Sequence, residues 1–469
     1  MLLILVNVLI KPAYIFLIEI PVQNHVGNES YGLYFAFLNL AYIFQLFSDL
    51  GLQNYTYTEL PRNKSRLDEI SSNILATRGL LALLFLAVLS VAGALLGYWE
   101  ADAKLFAIVM VNVLLVSTIG YIRANIAGLG MYFNDSLYSV VDKIVMLITL
   151  SIMLYVMDRG SFTIYSFVFA QTFSFGCAIL IGFLLMRRRL RWIPPVWSSM
   201  KNLSKQALPF GILIALMFLY TRIDAIMIEK MLQDGPYEAG LYASAYRLYD
   251  AVAMISFLFA TLLLPMFSEM DDNMDGRQRL YYGSLSMIFG VSVLIAVPII
   301  VCRVWIMESL YPTANADSIG ALAILMVAFI FKGSLFVTSS LLTSLRRFRV
   351  LNILFILSIA LNFITNYVLI PTHGIVGASV ATLAAQFFLA LGCIYLVHRE
   401  VSLSVRLLIY IRILGFGIFV SAIFYALEHY LIISDHLWWV IGLTAAMGLT
   451  FVLMNYRLLA QLSNRLHRH

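Results

Sequence analysis

An arginine and an aspartate three residues apart, Arg247 and Asp250, lie in a run that opens at Gly240 as GLYASAYRLYDA and carries no further charge until Glu269. A second close pair, Arg222 and Asp224, stands in the apolar stretch before it, and two lysines, Lys11 and Lys332, sit near the middle of other apolar runs. From such positions an ammonium group cannot easily snorkel to water. A charge left uncompensated in hydrocarbon costs at least ~2.5 kcal/mol, so each of these groups needs an opposite charge or a wet cavity. Two chemistries fit. One is a structural lock, with Arg247 paired to Asp250 along the helix or Arg222 to Asp250 across helices. The other is a cationic cavity in which Lys11, Arg222, Arg247 and Lys332 bind an anion, since guanidinium groups grip phosphate bidentately. Asp224 and Asp250 would then balance the charge or couple an ion.

Other residues are weaker candidates for the same cavity. Arg78 and Arg123 lie toward helix ends, where snorkelling is the simpler reading, with a ligand role second. Tyr242, Tyr246 and Tyr249 recur at three and four residues, a helical face that stacks on sugars or packs against neighbouring helices. Asp142 and Lys143 read as a self-contained pair. Asn362 and Asn366, one turn apart, read as bonding to a neighbouring helix, with cavity lining as the alternative. The seven histidines fall mostly in loops and the three cysteines, Cys177, Cys302 and Cys393, lie far apart in apolar runs. No metal site or cofactor is expected, no nucleic-acid partner, and, without a phosphate-cradling Gly-rich motif, no direct use of ATP.

What must position these charges is a membrane fold. Of the 469 residues, 62% are hydrophobic and 12% charged, and mean hydropathy is +0.90. A water-soluble chain of that length needs far more charge, whereas here apolar segments of ~20 residues recur, each able to cross a ~30 Å hydrocarbon layer as a helix. The first of them, MLLILVNVLIKPAYIFLIEIP, has a central lysine and no basic leader, and reads as a span instead of a signal peptide. Fourteen spans are expected, at about 1–20, 32–52, 73–98, 104–123, 137–157, 162–186, 207–231, 240–268, 281–305, 319–343, 350–371, 375–397, 407–428 and 435–456. With both termini cytoplasmic, inside loops hold clusters such as Arg62, Lys64 and Arg66, the 187–205 series, and Arg346, Arg347 and Arg349, while the outside keeps only Lys104, Arg159 and Lys230. The longest connection, from Arg187 to Lys205, is too short for a catalytic domain; its charge suits topology and contact with anionic lipid, with docking of a partner enzyme as a second role.

The chain also repeats itself. GNESYGLYFAFLNLAYIF from Gly27 aligns without a gap on GPYEAGLYASAYRLYDAV from Gly235, an offset of 208 that sets Gly32-Leu33-Tyr34 on Gly240-Leu241-Tyr242. An even number of spans separates the copies, so they are parallel repeats about an axis along the membrane normal. Lobes are expected at 1–200 and 201–400, with 401–469 as two added helices and a tail. Asn39 and Tyr42 take the places of Arg247 and Asp250 in the first copy, so the repeats differ where the charge sits.

At Tyr31-Gly32 with Asp49-Leu50-Gly51-Leu52, at RIDAIMI from Arg222 leading to AGLYASAYRL from Ala239, and at NYVLIPTHGIVGASVATL from Asn366, the chain resembles the polysaccharide (Wzx-like, O-antigen) flippases of the multidrug/oligosaccharidyl-lipid/polysaccharide exporter superfamily. The resemblance implies an all-α, MATE-like fold of two six-helix lobes plus two helices, in a bacterial inner membrane. It implies a cationic cavity that faces each side in turn and passes an undecaprenyl-pyrophosphate-linked oligosaccharide outward, driven by membrane potential or a proton or sodium gradient. An ion-coupled multidrug exporter of the same superfamily is the alternative, and would carry a cavity dominated by carboxylates. A membrane-embedded glycan enzyme comes third, since no paired loop carboxylates or nucleophile motif is present.

Overall fold

A computed structural model describes residues 10, 13–60, 67–155, 162–187, 193–268, 274–401, 407–430, 444 and 447–448. Lys11 and all of the expected fourteenth span except residues 444, 447 and 448 lie outside the described residues. A π-helical turn, Ile15–Glu19, leads into α1 (Ile20–Val26), which has a proline in its first turn where no amide partner is lost. The second span is assembled from α2 (Asn28–Ile43), α3 (Leu46–Asp49) and α4 (Leu52–Glu59). Then come α5 (Leu67–Leu95), α6 (Tyr98–Gly128), α7 (Tyr132–Tyr138), α8 (Val141–Tyr155) and α9 (Ile164–Met186). They are followed by α10 (Trp197–Met231), α11 (Gly235–Ser268), α12 (Met274–Val301), α13 (Arg303–Leu310), α14 (Ala316–Ser344), α15 (Phe348–Val401) and α16 (Leu407–Tyr430). Among the described residues, eight helices are long and apolar enough to cross a membrane. The protein is a multi-pass, all-helical membrane protein.

The expected eleventh and twelfth spans are the two helices of α15, which meet at Gly374 (φ 54°, ψ −136°) and pack on each other, Ser358 donating to the carbonyl of Ala385 at 3.1 Å. One segment differs from its expected form. The basic connection after Arg187 is shorter than expected because α10 begins at Trp197. Its first turns bury Met200, Leu203 and Ala207 and expose Lys201, Asn202 and Lys205, an amphipathic pattern whose mean hydropathy is too low to register as a span. Just before it, the amides of Ile193 and Val196 donate to Ser72 Oγ (3.0 Å) and Asn73 Oδ1 (2.7 Å), docking the connection on α5.

The chain divides into two compact units, Met1–Ala243 and Ser244–His469, the boundary falling within α11. In the first, α9 packs on α6, α10 runs along α2, and α3 and α4 contact α5 and α6 respectively. In the second, α14 packs on both α15 and α12, and α16 packs on α12.

Within the first unit, the glycines that the repeat aligns meet each other. A Cβ added to Gly32 would strike the carbonyl oxygen of Pro236 and lie 3.0 Å from Gly240 Cα, while one on Gly240 would strike the carbonyl oxygen of Asn28 and lie 2.7 Å from its carbonyl carbon. Pro236 is the 208-offset counterpart of Asn28, so the contact is reciprocal. Only residues without a side chain let α2 and the start of α11 approach this closely.

Candidate functional site

The second span breaks where the sequence reads Asp49-Leu50-Gly51. Leu50 (φ 48°) and Gly51 (φ 80°) are both left-handed, a conformation that disfavours a leucine by roughly 1–2 kcal/mol. The surrounding contacts hold it. Gly51 lies against α10, an added Cβ coming 2.6 Å from the carbonyl oxygen of Ala207. Asp49 Oδ2 accepts from the amide of Gln53 in the first turn of α4 at 3.3 Å, and Oδ1 pairs with Arg78 Nη1 of α5. The other Arg78 nitrogen donates to Ser117 of α6, at 2.6 Å to its carbonyl and 2.5 Å to its hydroxyl. The guanidinium also lies 5.4 Å from the ring centroid of Tyr121. Arg78 is 7% exposed and Asp49 14%. Snorkelling is therefore not what Arg78 does: a carboxylate at equal depth on the neighbouring span satisfies it internally. Arg123 likewise makes a two-point pair with Asp135 of α7, at 2.9 and 3.2 Å.

Arg222, on α10, is half-buried. Its Nη1 donates to Asn39 Oδ1 at 3.4 Å, and its guanidinium carbon is 5.6 Å from the ring centroid of Tyr42. Asn39 is oriented by donating its own amide to the Phe35 carbonyl at 2.6 Å; Tyr42 is held by parallel stacking on Phe218, one turn before Arg222, at 5.8 Å. The two residues of α2 that the repeat aligns with Arg247 and Asp250 are thus those that cradle Arg222. Asp224, two positions on and so on a different side of α10, is buried and accepts from the Tyr242 hydroxyl at 3.2 Å. Two further polar positions of this unit are pairs: Lys143 binds Asp142 at 2.7 Å, as the sequence suggested, and Lys230 binds Glu229 at 3.1 Å.

In the second unit, Lys332 of α14 sits with Nζ 4.4 Å from the ring centroid of Tyr249, an attraction worth about 0.5–2 kcal/mol depending on desolvation. Gln386 of α15 donates to the Tyr249 hydroxyl at 2.9 Å, and Tyr246 packs on the same ring at 5.2 Å. Three helices thereby fix one ammonium group. Arg247 and Asp250 are half-buried, one turn apart on α11, while Tyr242, Tyr246 and Tyr249 are all buried. Asn366 donates to Asn362 at 3.1 Å, both fully enclosed. Gln386 was not singled out by the sequence, and Asn39 and Asp49 stood out only as the repeat counterpart of Arg247 and as part of a family-like motif. For Asp49 a further signal existed, a carboxylate at the same end of span two as Arg78 occupies on span three; for the neutral amide of Gln386 there was none.

What the geometry offers is cationic groups at depth, Arg222 in the first unit and Arg247 and Lys332 in the second, of which Arg222 and Lys332 are held against aromatic rings.

Residues 1–271 match the model of a family described as polysaccharide biosynthesis protein. An uncharacterized membrane protein of Methanocaldococcus jannaschii is 24% identical over 201 residues, 42% of this chain, and the match spans 46% of that protein. Among solved structures, the lipid II flippase MurJ in an inward closed conformation superposes with a TM-score of 0.69 at 14% identity, covering 97% of this chain and 99% of that one. An inward-facing multidrug resistance MATE family transporter of the MOP superfamily gives 0.65 at 14% identity, with 86% and 95% covered. A MOP superfamily transporter from Pyrococcus furiosus, described as having a binding pocket of reversed polarity, gives 0.60 at 14% identity, with 88% and 93% covered. At these identities the likeness is one of fold, and it is the MATE-like membrane fold.

Proposed function

Because the chain belongs to the polysaccharide biosynthesis protein family, we propose that it is a flippase that carries an undecaprenyl-pyrophosphate-linked oligosaccharide across the bacterial inner membrane by alternating access. The observation that carries this reading is the pair of oriented cations in spans, Arg222 beside Asn39 and Tyr42, and Lys332 over Tyr249. A pyrophosphate brings two acidic groups into a low-dielectric setting, and fixed cations there stabilise it far more than the same groups would in water. Arg247, in the second unit, and Lys11 are further cations proposed for the same anion-binding role. Asp224, seated on Tyr242, and Asp250 keep the cationic groups from dominating when cargo is absent, and either is a candidate to exchange a proton or sodium ion. The buried Tyr242, Tyr246 and Tyr249 set the rigidity of α11 around these groups, and sugar contact would fall to them only in another conformation. Surface-polysaccharide assembly then supplies the partners: enzymes that build the lipid-linked unit on one side and polymerise it on the other.

The test is headgroup accessibility in proteoliposomes. With a fluorescent undecaprenyl-pyrophosphate oligosaccharide and an impermeant quencher, wild type should equilibrate the lipid between leaflets, and Arg222→Ala and Lys332→Ala should slow this at least tenfold while remaining folded. Export of cationic drugs without lipid movement under an imposed potential, proton or sodium gradient would favour the multidrug-exporter reading instead.

A further inference from the structure

A cavity of about 210 Å³ lies in the first unit among α5, α6 and α9, away from Arg222 and its partners in sequence and in lining. Its walls are largely apolar, from Leu75, Ile122, Ile179 and Phe183, and Arg187 stands at its end. Leu75 and Phe183 are 42% and 61% exposed, so the cavity opens sideways, where a membrane protein meets lipid. Its long axis follows from the residues that bound it: Arg187 directly follows the last residue of α9, whereas Thr118 is ten residues before the end of α6, about 15 Å deeper at ~1.5 Å per residue.

The polar groups in the wall do not ask for a polar ligand. Ser71 Oγ donates to Asn125 at 2.8 Å, Tyr121 donates to the Ser71 carbonyl at 3.0 Å, Thr118 donates to the Leu114 carbonyl at 2.9 Å, and Ser72 Oγ accepts from Ile193 at 3.0 Å. With those hydroxyls engaged internally, the interior presents hydrocarbon to its occupant, while the mouth presents a guanidinium at the start of the basic stretch RRRLR. Apolar depth with one cation at the membrane surface is complementary to an anionic amphiphile lying along the helices.

We propose that this cavity binds one acyl chain of an anionic phospholipid of the bilayer, with the lipid phosphate at Arg187. Because Ser72 also anchors the connection that leads into α10, the occupied cavity props the start of the helix that carries Arg222. Lipid composition thereby reaches the cationic site without contact between the two.

The experiment uses the full-length purified protein in nanodiscs containing either phosphatidylglycerol or phosphatidylcholine with a diazirine near the end of one acyl chain, and maps crosslinked peptides by mass spectrometry. Wild type should label α5 and α9 peptides at least fivefold more with the phosphatidylglycerol probe. The exposed substitution Arg187→Gln should remove about a fivefold preference, the factor that one cation near an anionic surface supplies, with the fold intact by size-exclusion chromatography. Ile179→Trp, which fills the cavity, should abolish labelling there while labelling elsewhere on the protein persists. Equal labelling by both probes, or cavity labelling indifferent to Ile179→Trp, would overturn the proposal. Displacement of the phosphatidylglycerol probe by equimolar undecaprenyl phosphate would overturn it too, assigning the cavity to a polyprenyl chain.

Discussion

If Arg78 and Asp49 form a buried ion pair that holds the break in the second span, removing either partner must cost more than removing both. Among the described residues neither group meets another full charge, and both are more than four-fifths enclosed. Stranding one member of such a pair typically costs ~3–5 kcal/mol, whereas replacing both with apolar groups of similar volume is often close to neutral. Asp49→Asn keeps an acceptor for the Gln53 amide and should therefore sit near ~3 kcal/mol, with Asp49→Leu, the single variant of the cycle, about 1 kcal/mol worse for the lost helix-start contact. Arg78→Met also gives up two hydrogen bonds to Ser117 and should fall at the upper end of that range. The double variant Asp49→Leu/Arg78→Met should lose about 3 kcal/mol, since the one contact to Gln53 and the two to Ser117 are worth roughly 1 kcal/mol each. The coupling energy in the cycle should thus be at least ~3 kcal/mol. Reversible unfolding in mixed micelles, followed by tryptophan fluorescence, measures it. A coupling below about 0.5 kcal/mol, the ordinary scatter of additivity, would refute the lock. Loss of transport in Arg78→Met with stability unchanged would instead make Arg78 a ligand.

Three further outcomes follow from named contacts. Gly240→Leu should yield no folded protein in detergent chromatography, because its Cβ would meet the Asn28 backbone, while Gly415→Ala, with open space around its Cβ, should be neutral or gain up to ~1 kcal/mol. Gln386→Leu should slow lipid movement about fivefold in the proteoliposome assay without lowering expression, since it removes the hydrogen bond that orients Tyr249 under Lys332, a contact worth ~1 kcal/mol. His398→Phe should increase hydrogen exchange in α16 by a similar factor of about five, because the imidazole bonds the Tyr410 hydroxyl at 2.9 Å and packs among Tyr281 and Tyr282.

Span positions were legible because a ~20-residue apolar run has one stable form in hydrocarbon, and within a helix the Asp142–Lys143 contact was legible because neighbours in sequence are neighbours in space. What was not legible depended on which helices meet. Arg222 finds its partners 183 positions away in the chain, and Gln386 reaches Tyr249 across 137; no spacing rule connects such residues. The break at Leu50-Gly51 escaped notice because hydropathy continues through it, and the start of α10 because an amphipathic turn averages to neutral. Arg78 was misread because depth alone suggests an escape to water, whereas a carboxylate on the adjacent span offered a nearer solution.

The reciprocal meeting of Gly32 with Gly240 has the form of an isologous interface: residue i touches j′ and j touches i′, as happens on the twofold axis of a homodimer. A chain assembled from two copies of one ancestral gene would inherit that contact from a time when every substitution was made twice. In the homodimer, an arginine at the position now held by Asn39 and Arg247 would have placed two like charges about the axis. In such a fused chain each copy would be free to change alone, and here the first has Asn39 and Tyr42 where the second has Arg247 and Asp250. The two glycines would not share that freedom, since a side chain on either would strike the backbone of the other copy.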